Sequence, residues 1–154
     1  MRIRSLNHSV YQLQYHLVWG TKYRRKFIIP AVKQYLLESL YATVKKYPTL
    51  FILAANTDRD HIHLQIEIPP NFSLAEVVQK LKAVSSFQLR KRFKFIREMY
   101  LGKEGIWSVG YFVSSIGLNE AQIKKYITWQ DKKEVPQTLR SIPHSSKQKR
   151  FEFS

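Results

Sequence analysis

A chain of 154 residues can bury one core but cannot hold a catalytic domain plus a separate recognition domain, so chemistry and binding must share one scaffold. Its 26 Lys and Arg against 11 Asp and Glu give a formal charge of +15, which points to a polyanionic partner, nucleic acid ahead of a membrane surface. With no cysteine among its residues, the chain can build neither a disulfide framework nor a thiolate metal site, and any metal must be held by imidazole, amide or carboxylate groups.

The longest apolar runs, such as Val10 to Trp19, are short and interrupted by Gln12, Gln14 and His16, so no membrane span is expected. Met1 to Leu6 is basic but leads into no apolar segment of signal-peptide length, and the cytoplasm of a prokaryotic cell is the expected compartment. Val10 to Trp19 alternates, with Leu13, Tyr15, Leu17 and Trp19 on one side, and reads as a strand. The basic cluster Lys22, Arg24, Arg25 and Lys26 follows as a loop. Pro30 then opens a helix expected to run to about Tyr47, with Leu36, Leu37, Leu40 and Val44 at helical spacing. Leu50 to Ala55 reads as a short buried strand and Asn56 to Asp60 as a turn.

His61 to Ile68 alternates cleanly, with Ile62, Leu64, Ile66 and Ile68 on one face and His61, His63, Gln65 and Glu67 on the other. Ser73 to Glu76 matches a capping box, so a second helix should start there and run past Leu89, carrying Lys80, Lys82, Arg90, Lys91, Arg92 and Lys94. A β-prone segment spans Ile106 to Ser115, and Gly117 and Asn119, a candidate N-cap, precede a last helix from Glu120 to about Gln130. Residues 1–131 form the expected catalytic domain, and 132–154 a basic tail with the composition of a disordered segment. The element order predicts an α+β fold, an antiparallel sheet with helices packed against it.

Two local patterns carry chemistry. On a strand, His61 and His63 project from one face at roughly 6.5 Å between Cα atoms, so both imidazoles can reach one ion; two polar residues on a wet sheet face would look the same. Ile123, Tyr126, Ile127 and Gln130 fall at i, i+3, i+4 and i+7, which is either a packing stripe with polar edges or a tyrosine and an amide presented together to the sheet. The two patterns join in one mechanism: a phenol, with a pKa of about 10, needs a cation or base to act as a nucleophile near neutrality, and a divalent ion on neutral ligands keeps its full charge for that work.

His61-Ile62-His63-Leu64 in a strand and Ile123 to Gln130 in a terminal helix resemble the HUH single-tyrosine transposases of the smallest prokaryotic insertion sequences, to which the REP-associated tyrosine transposases are more distantly similar. Tyr15 to Arg25 resembles that family's first strand and basic loop, and Trp107 to Ser115 its strand before the nucleophile helix. The resemblance implies a ferredoxin- or RRM-like HUH fold, with Tyr126 as nucleophile and His61, His63 and Gln130 as ligands of Mg²⁺ or Mn²⁺. It also implies a homodimer in which one subunit's tyrosine helix can complete the other's histidine site, and single-stranded DNA with hairpins near the element's ends as substrate. The reaction it implies is transesterification through a 5′-phosphotyrosine. Imidazole would suit manganese, zinc or nickel at least as well as magnesium.

Lys22, Arg24, Arg25, Lys80, Lys82, Arg90 and Lys91 are candidates for the DNA backbone, and Phe87, Phe93, Tyr111 and Phe112 are candidates to stack unpaired bases, although aromatics at such spacing are more often packed in the core. For Lys147, Lys149 and Arg150 in the tail, backbone binding and a solvated charge cluster stand equal. Asp58 and Asp60 either orient an imidazole or simply make the turn, and His16, on the polar side of its strand, takes a role only if strand order brings it to the site. A replication initiator or relaxase with the same paired histidines, and a non-catalytic RRM-like binding module, are the alternatives; the module predicts no covalent DNA adduct.

Overall fold

The structure, a computed structural model, describes residues 4–6, 9–11, 13–103, 105–115 and 120–134, with side chains for 13–103, 105–115 and 121–129. Six strands and four helices are present among them: β1 (Arg4–Leu6), β2 (Ser9–Tyr11), β3 (Gln14–Gly20), α1 (Pro30–Lys45), β4 (Phe51–Thr57), β5 (His61–Glu67), α2 (Leu74–Arg92), α3 (Lys94–Met99), β6 (Phe112–Ser114) and α4 (Glu120–Glu134). The fold is the expected α+β plan. Strands β4-β5-β3-β6 form one antiparallel sheet, and the order β3-α1-β4-β5-α2-β6 around it is the ferredoxin-like arrangement.

The alternation read in β3 and β5 decides the layers. Leu17 and Trp19 of β3 and Ile62, Leu64 and Ile66 of β5 are fully buried and meet Val32, Leu36 and Leu40 of α1 and Val78 and Leu81 of α2. Burial of large aliphatic side chains on this scale contributes about 1.5–3 kcal/mol each and anchors both helices to one face. The opposite face carries a second, small core of Val18, Phe112, Tyr126 and Ile127, with Ile123 and Trp129 against it, so α4 lies on the side the histidines share.

Local signals explain most boundaries. Pro30 sits in the first turn of α1, where its missing N–H costs nothing, and the Ser73 hydroxyl accepts a hydrogen bond from the Glu76 N–H at 3.4 Å. Four expectations are corrected. The run from Val10 to Trp19 is two strands, because β2 pairs with β1 in a separate two-stranded sheet while β3 joins the main one. The strand expected at Leu50 to Ala55 is β4, an edge strand with a register shift between Ile52 and Ala54, and therefore half-buried. Only Phe112–Ser114 of the β-prone segment is a strand, since Gly110 turns the chain at φ +89° and Trp107 makes just an isolated bridge to Thr21. Helix α3 was not anticipated, and α4 continues past Gln130 to Glu134. Gly117, Asn119 and residues 135–154 of the tail, including Lys147, Lys149 and Arg150, lie outside the described residues.

Candidate active site

Strand order brings the histidines together. His63 faces Val18 across the β3–β5 ladder and His61 faces Gly20, so His16, two residues before Val18 and on the same face, lies diagonal to His63 with ring centroids 5.8 Å apart. Sequence reasoning had left His16 without a role. The pairing of β3 with β5 is what finds it.

His61 is braced. After β3 the chain passes through a 3-10 turn, Lys22–Arg24, in which Tyr23 and Arg24 adopt φ of 60° and 52°. This left-handed backbone costs on the order of 1–2 kcal/mol per residue. It aims the Arg24 guanidinium at Asp60, donating from Nε at 3.1 Å and Nη2 at 3.0 Å to Oδ2. The other carboxylate oxygen, Oδ1, lies 2.9 Å from His61 Nδ1. A carboxylate only accepts here, so the proton belongs on Nδ1, which leaves the Nε2 lone pair for an ion. Of the two aspartates considered, Asp60 therefore orients the imidazole, whereas Asp58 builds the turn, accepting from the Arg59 N–H at 2.8 Å.

The electrostatics suit neutral ligands. Burial pushes the Asp60 carboxyl up, but the hydrogen bonds from His61 and Arg24 and the Arg24 charge outweigh it and hold the group below the usual carboxylate range. Burial, followed by the nearby His16 and His61, pushes the His63 imidazole down, and burial alone lowers His16. Both rings are thereby favoured as neutral donors. His63 Nε2 and His16 Nδ1 are buried and have no hydrogen-bond partner among the described residues. An unsatisfied buried nitrogen beside a braced imidazole fits a metal ligand pair. Among the described residues no group of three His, Cys, Asp or Glu is placed to hold a metal, and the expected third donor is the amide of Gln130. Gln130 lies on α4, and its side chain lies outside the described ones.

Helix α4 supplies the roof. Ile123, Lys124 and Ile127 line a cleft of about 570 Å³ together with His61, His63 and Asp60, and Arg24, Lys26 and Arg59 make its rim cationic. Tyr126 is on the same helix but is only 1 % exposed, its ring 5.7 Å from Phe112 and 6.0 Å from Trp129. The structure thus brings the tyrosine helix to the histidine face while keeping the phenol covered.

The proposed DNA-backbone residues divide. Arg24 is paired with Asp60; Arg25 donates to the Met99 carbonyl at 3.0 Å and lies over the Tyr100 ring at 5.5 Å. Lys82 donates to the carbonyls of Ser108 and Gly110 at 2.7 and 3.0 Å. Lys22 belongs to the turn, Lys80 and Lys91 are exposed, and Arg90 donates to the Lys103 carbonyl at 3.1 Å. Of the four stacking candidates, Phe93 and Tyr111 are half-buried, Phe112 is buried, and Phe87 alone is exposed.

A ferredoxin-like sheet thus carries the paired strand histidines, and a tyrosine-bearing helix is laid over them. The chain belongs to the IS200-like transposase family, whose model matches residues 9–130. It is 33 % identical over 141 residues to the transposase of insertion sequence element IS200 of Salmonella typhimurium, covering 92 % of this chain and 91 % of that one. It is 30 % identical over 126 residues to the ISDra2 transposase TnpA of Deinococcus radiodurans, covering 81 % and 89 %. The crystal structure of a candidate transposase from Deinococcus radiodurans superposes with a TM-score of 0.72 at 28 % identity, covering 82 % of this chain and 97 % of that one. Membership makes this a DNA-cleaving and DNA-joining protein. No helix among the described residues is long and apolar enough to cross a membrane.

Proposed function

We propose that the protein cuts and rejoins single-stranded DNA at insertion-sequence ends through a covalent Tyr126 phosphodiester. The observation that carries this reading is the packing of the Tyr126 helix onto the sheet face where Asp60 braces His61 beside His63. In the cutting step the Tyr126 phenolic oxygen bonds to phosphorus and gives up its proton, the bond from phosphorus to the 3′-oxygen breaks, and that oxygen gains a proton. The products are a 5′-phosphotyrosine and a free 3′-OH. Joining reverses the step with a new 3′-OH, and neither water nor ATP is consumed because the bond energy stays in the ester.

His61, His63 and the Gln130 amide are the proposed ligands of a divalent ion, Mg²⁺ or Mn²⁺, which when bound would polarise the phosphate and favour the phenolate. Arg24 and Asp60 hold His61 in the tautomer that leaves Nε2 available. Lys26, Arg59 and Lys124 at the cleft rim attract the phosphate backbone. Because the phenol is covered, α4 has to shift before Tyr126 can meet a phosphodiester, either over its own sheet or onto that of a second subunit; a homodimer with shared sites is part of the reading. Hairpins near the element's ends are the proposed recognition signal.

The test incubates the protein with a labelled single-stranded hairpin oligonucleotide and Mn²⁺ and looks for a covalent product on a denaturing gel. Wild type should form the adduct. Tyr126→Phe, which loses one oxygen and keeps the packed ring, should bind the oligonucleotide and form none. An adduct from Tyr126→Phe would displace Tyr126 as nucleophile.

A further inference from the structure

Apart from the histidine cleft, a groove of about 870 Å³ runs between the C-terminal half of α2 and the 105–109 segment. Its floor is fixed: the Trp107 indole donates to Ser85 Oγ at 3.0 Å, and the Ser108 N–H donates to the Gly20 carbonyl at 2.9 Å. Two large apolar side chains line it in the open, Phe87 at 67 % exposure and Val109 at 43 %. Around them lie Lys22, Arg90, Lys91 and Arg97, and none of the described lining residues is acidic. Arg90 and Arg97 each spend an N–H on a backbone carbonyl, of Lys103 at 3.1 Å and Arg90 at 3.0 Å, contacts that position the guanidinium without neutralising it.

An exposed phenyl ring beside an exposed valine, in a groove lined by cations, offers an apolar face for a partner to cover. Here the cover has to be both anionic and flat-faced. Unpaired nucleotides combine those properties, each pairing a phosphate with a free π-face, whereas a duplex hides its base faces in the stack. The groove and the cleft border the same 3-10 turn, which contributes Lys22 to the groove and Arg24 to the histidine side.

We infer that this groove is a binding site for an unpaired DNA segment flanking the hairpin, with a base stacked on Phe87 and phosphates on Arg90, Lys91 and Arg97. The inference rests on the transposase reading above and adds to it where the single strand runs.

The experiment measures affinity by fluorescence anisotropy for a hairpin with a single-stranded flank and for the same hairpin without it, alongside the Mn²⁺-dependent covalent adduct of the wild type. Phe87→Ala, checked for fold by thermal melting, should bind the flanked hairpin about tenfold more weakly and the flankless one unchanged, because one stacked base is lost. Phe87→Tyr should restore the affinity. Lys91→Ala with Arg97→Ala should lower the slope of log affinity against log salt by about 0.7 per contact removed. Equal affinity of Phe87→Ala and wild type for the flanked hairpin overturns the inference. So does an equal loss on both DNAs, and so does a wild-type dimer that dissociates on Phe87→Ala, which would make the groove an interface between copies. The two readings fail separately: a missing wild-type adduct sinks the covalent chemistry, while an intact adduct with an unaltered Phe87→Ala affinity sinks only the groove.

Discussion

At the scale of single residues, the site depends on Asp60. Its carboxylate joins Arg24 to His61, so removing it frees the imidazole to rotate and change tautomer while both proposed strand ligands remain. Asp60→Ala should therefore weaken Mn²⁺ binding roughly 10- to 100-fold, as read by calorimetry or by the electron-spin signal of free Mn²⁺. An unchanged affinity would show that His61 needs no brace. The buried imidazoles also set a pH dependence. His16 and His63 titrate below their ordinary value in the folded chain, so below about pH 6.5 the unfolded chain binds more protons and stability falls as pH drops through the folded values. Urea unfolding in EDTA should show a lower midpoint at pH 5.5 than at pH 7.5, with a smaller drop in His63→Gln; a midpoint that is flat or rises on acidification would contradict this. Asp60 does not contribute in that window, because a lowered carboxyl loses its share of stability only below about pH 4.

Among the elements, the segment between α3 and β6 is held mostly by side chains. Lys82 crosses from α2 to the carbonyls of Ser108 and Gly110, whereas Lys80, two residues earlier, is exposed to solvent. Loss of the ammonium leaves acceptors in a partly buried place, so Lys82→Met should cost about 1–3 kcal/mol in urea unfolding, while Lys80→Ala should stay within about 0.5 kcal/mol. Equal effects would mean that the two carbonyls find other donors. The same contrast shows the limit of a charge pattern: both lysines looked like backbone-binding residues in the sequence, and only the packing separates one that ties the fold together from one that faces water. Helix α4 is the other element with two tasks. Ile127 packs beneath it close to Gly20, where an added Cβ would stand 3.5 Å from Ile127 Cδ1, so the helix approaches β3 closely at that point. Tyr126 is buried by the same packing, which makes release of α4 part of the proposed reaction.

For the whole molecule, the proposed sharing of sites is open to direct complementation. Subunits carrying His61→Ala and His63→Ala are mixed with subunits carrying Tyr126→Phe, each inactive alone. If a tyrosine helix serves the neighbour's histidines, the mixed dimer holds one site with all its groups and should recover up to half of the normal activity per dimer. Zero adduct in verified heterodimers would confine each site to one subunit and leave the chemistry of Tyr126 in place. Either outcome concerns how closed symmetry distributes the parts, not which parts act.

Much of this protein is determined by local pattern. The period-2 alternation of β5 separates Ile62, Leu64 and Ile66 from His61 and His63 without any knowledge of the fold, because a strand has two faces and water sorts them. The Ser73 cap and Pro30 act within one helical turn and are equally legible. Four segments in the right order were enough to place the chain in its family, a placement the match over residues 9–130 bears out. What the tertiary structure decided depends on residues far apart in the chain. Pairing of β3 with β5 puts His16 beside His63, and a left-handed turn joins Arg24 to Asp60 across 36 positions. The half-burial of β4 follows from its place at the sheet edge, and the covering of Tyr126 from Phe112 on a strand three residues long. Non-local pairing leaves no periodicity in the sequence, so these contacts exist only once the sheet is assembled.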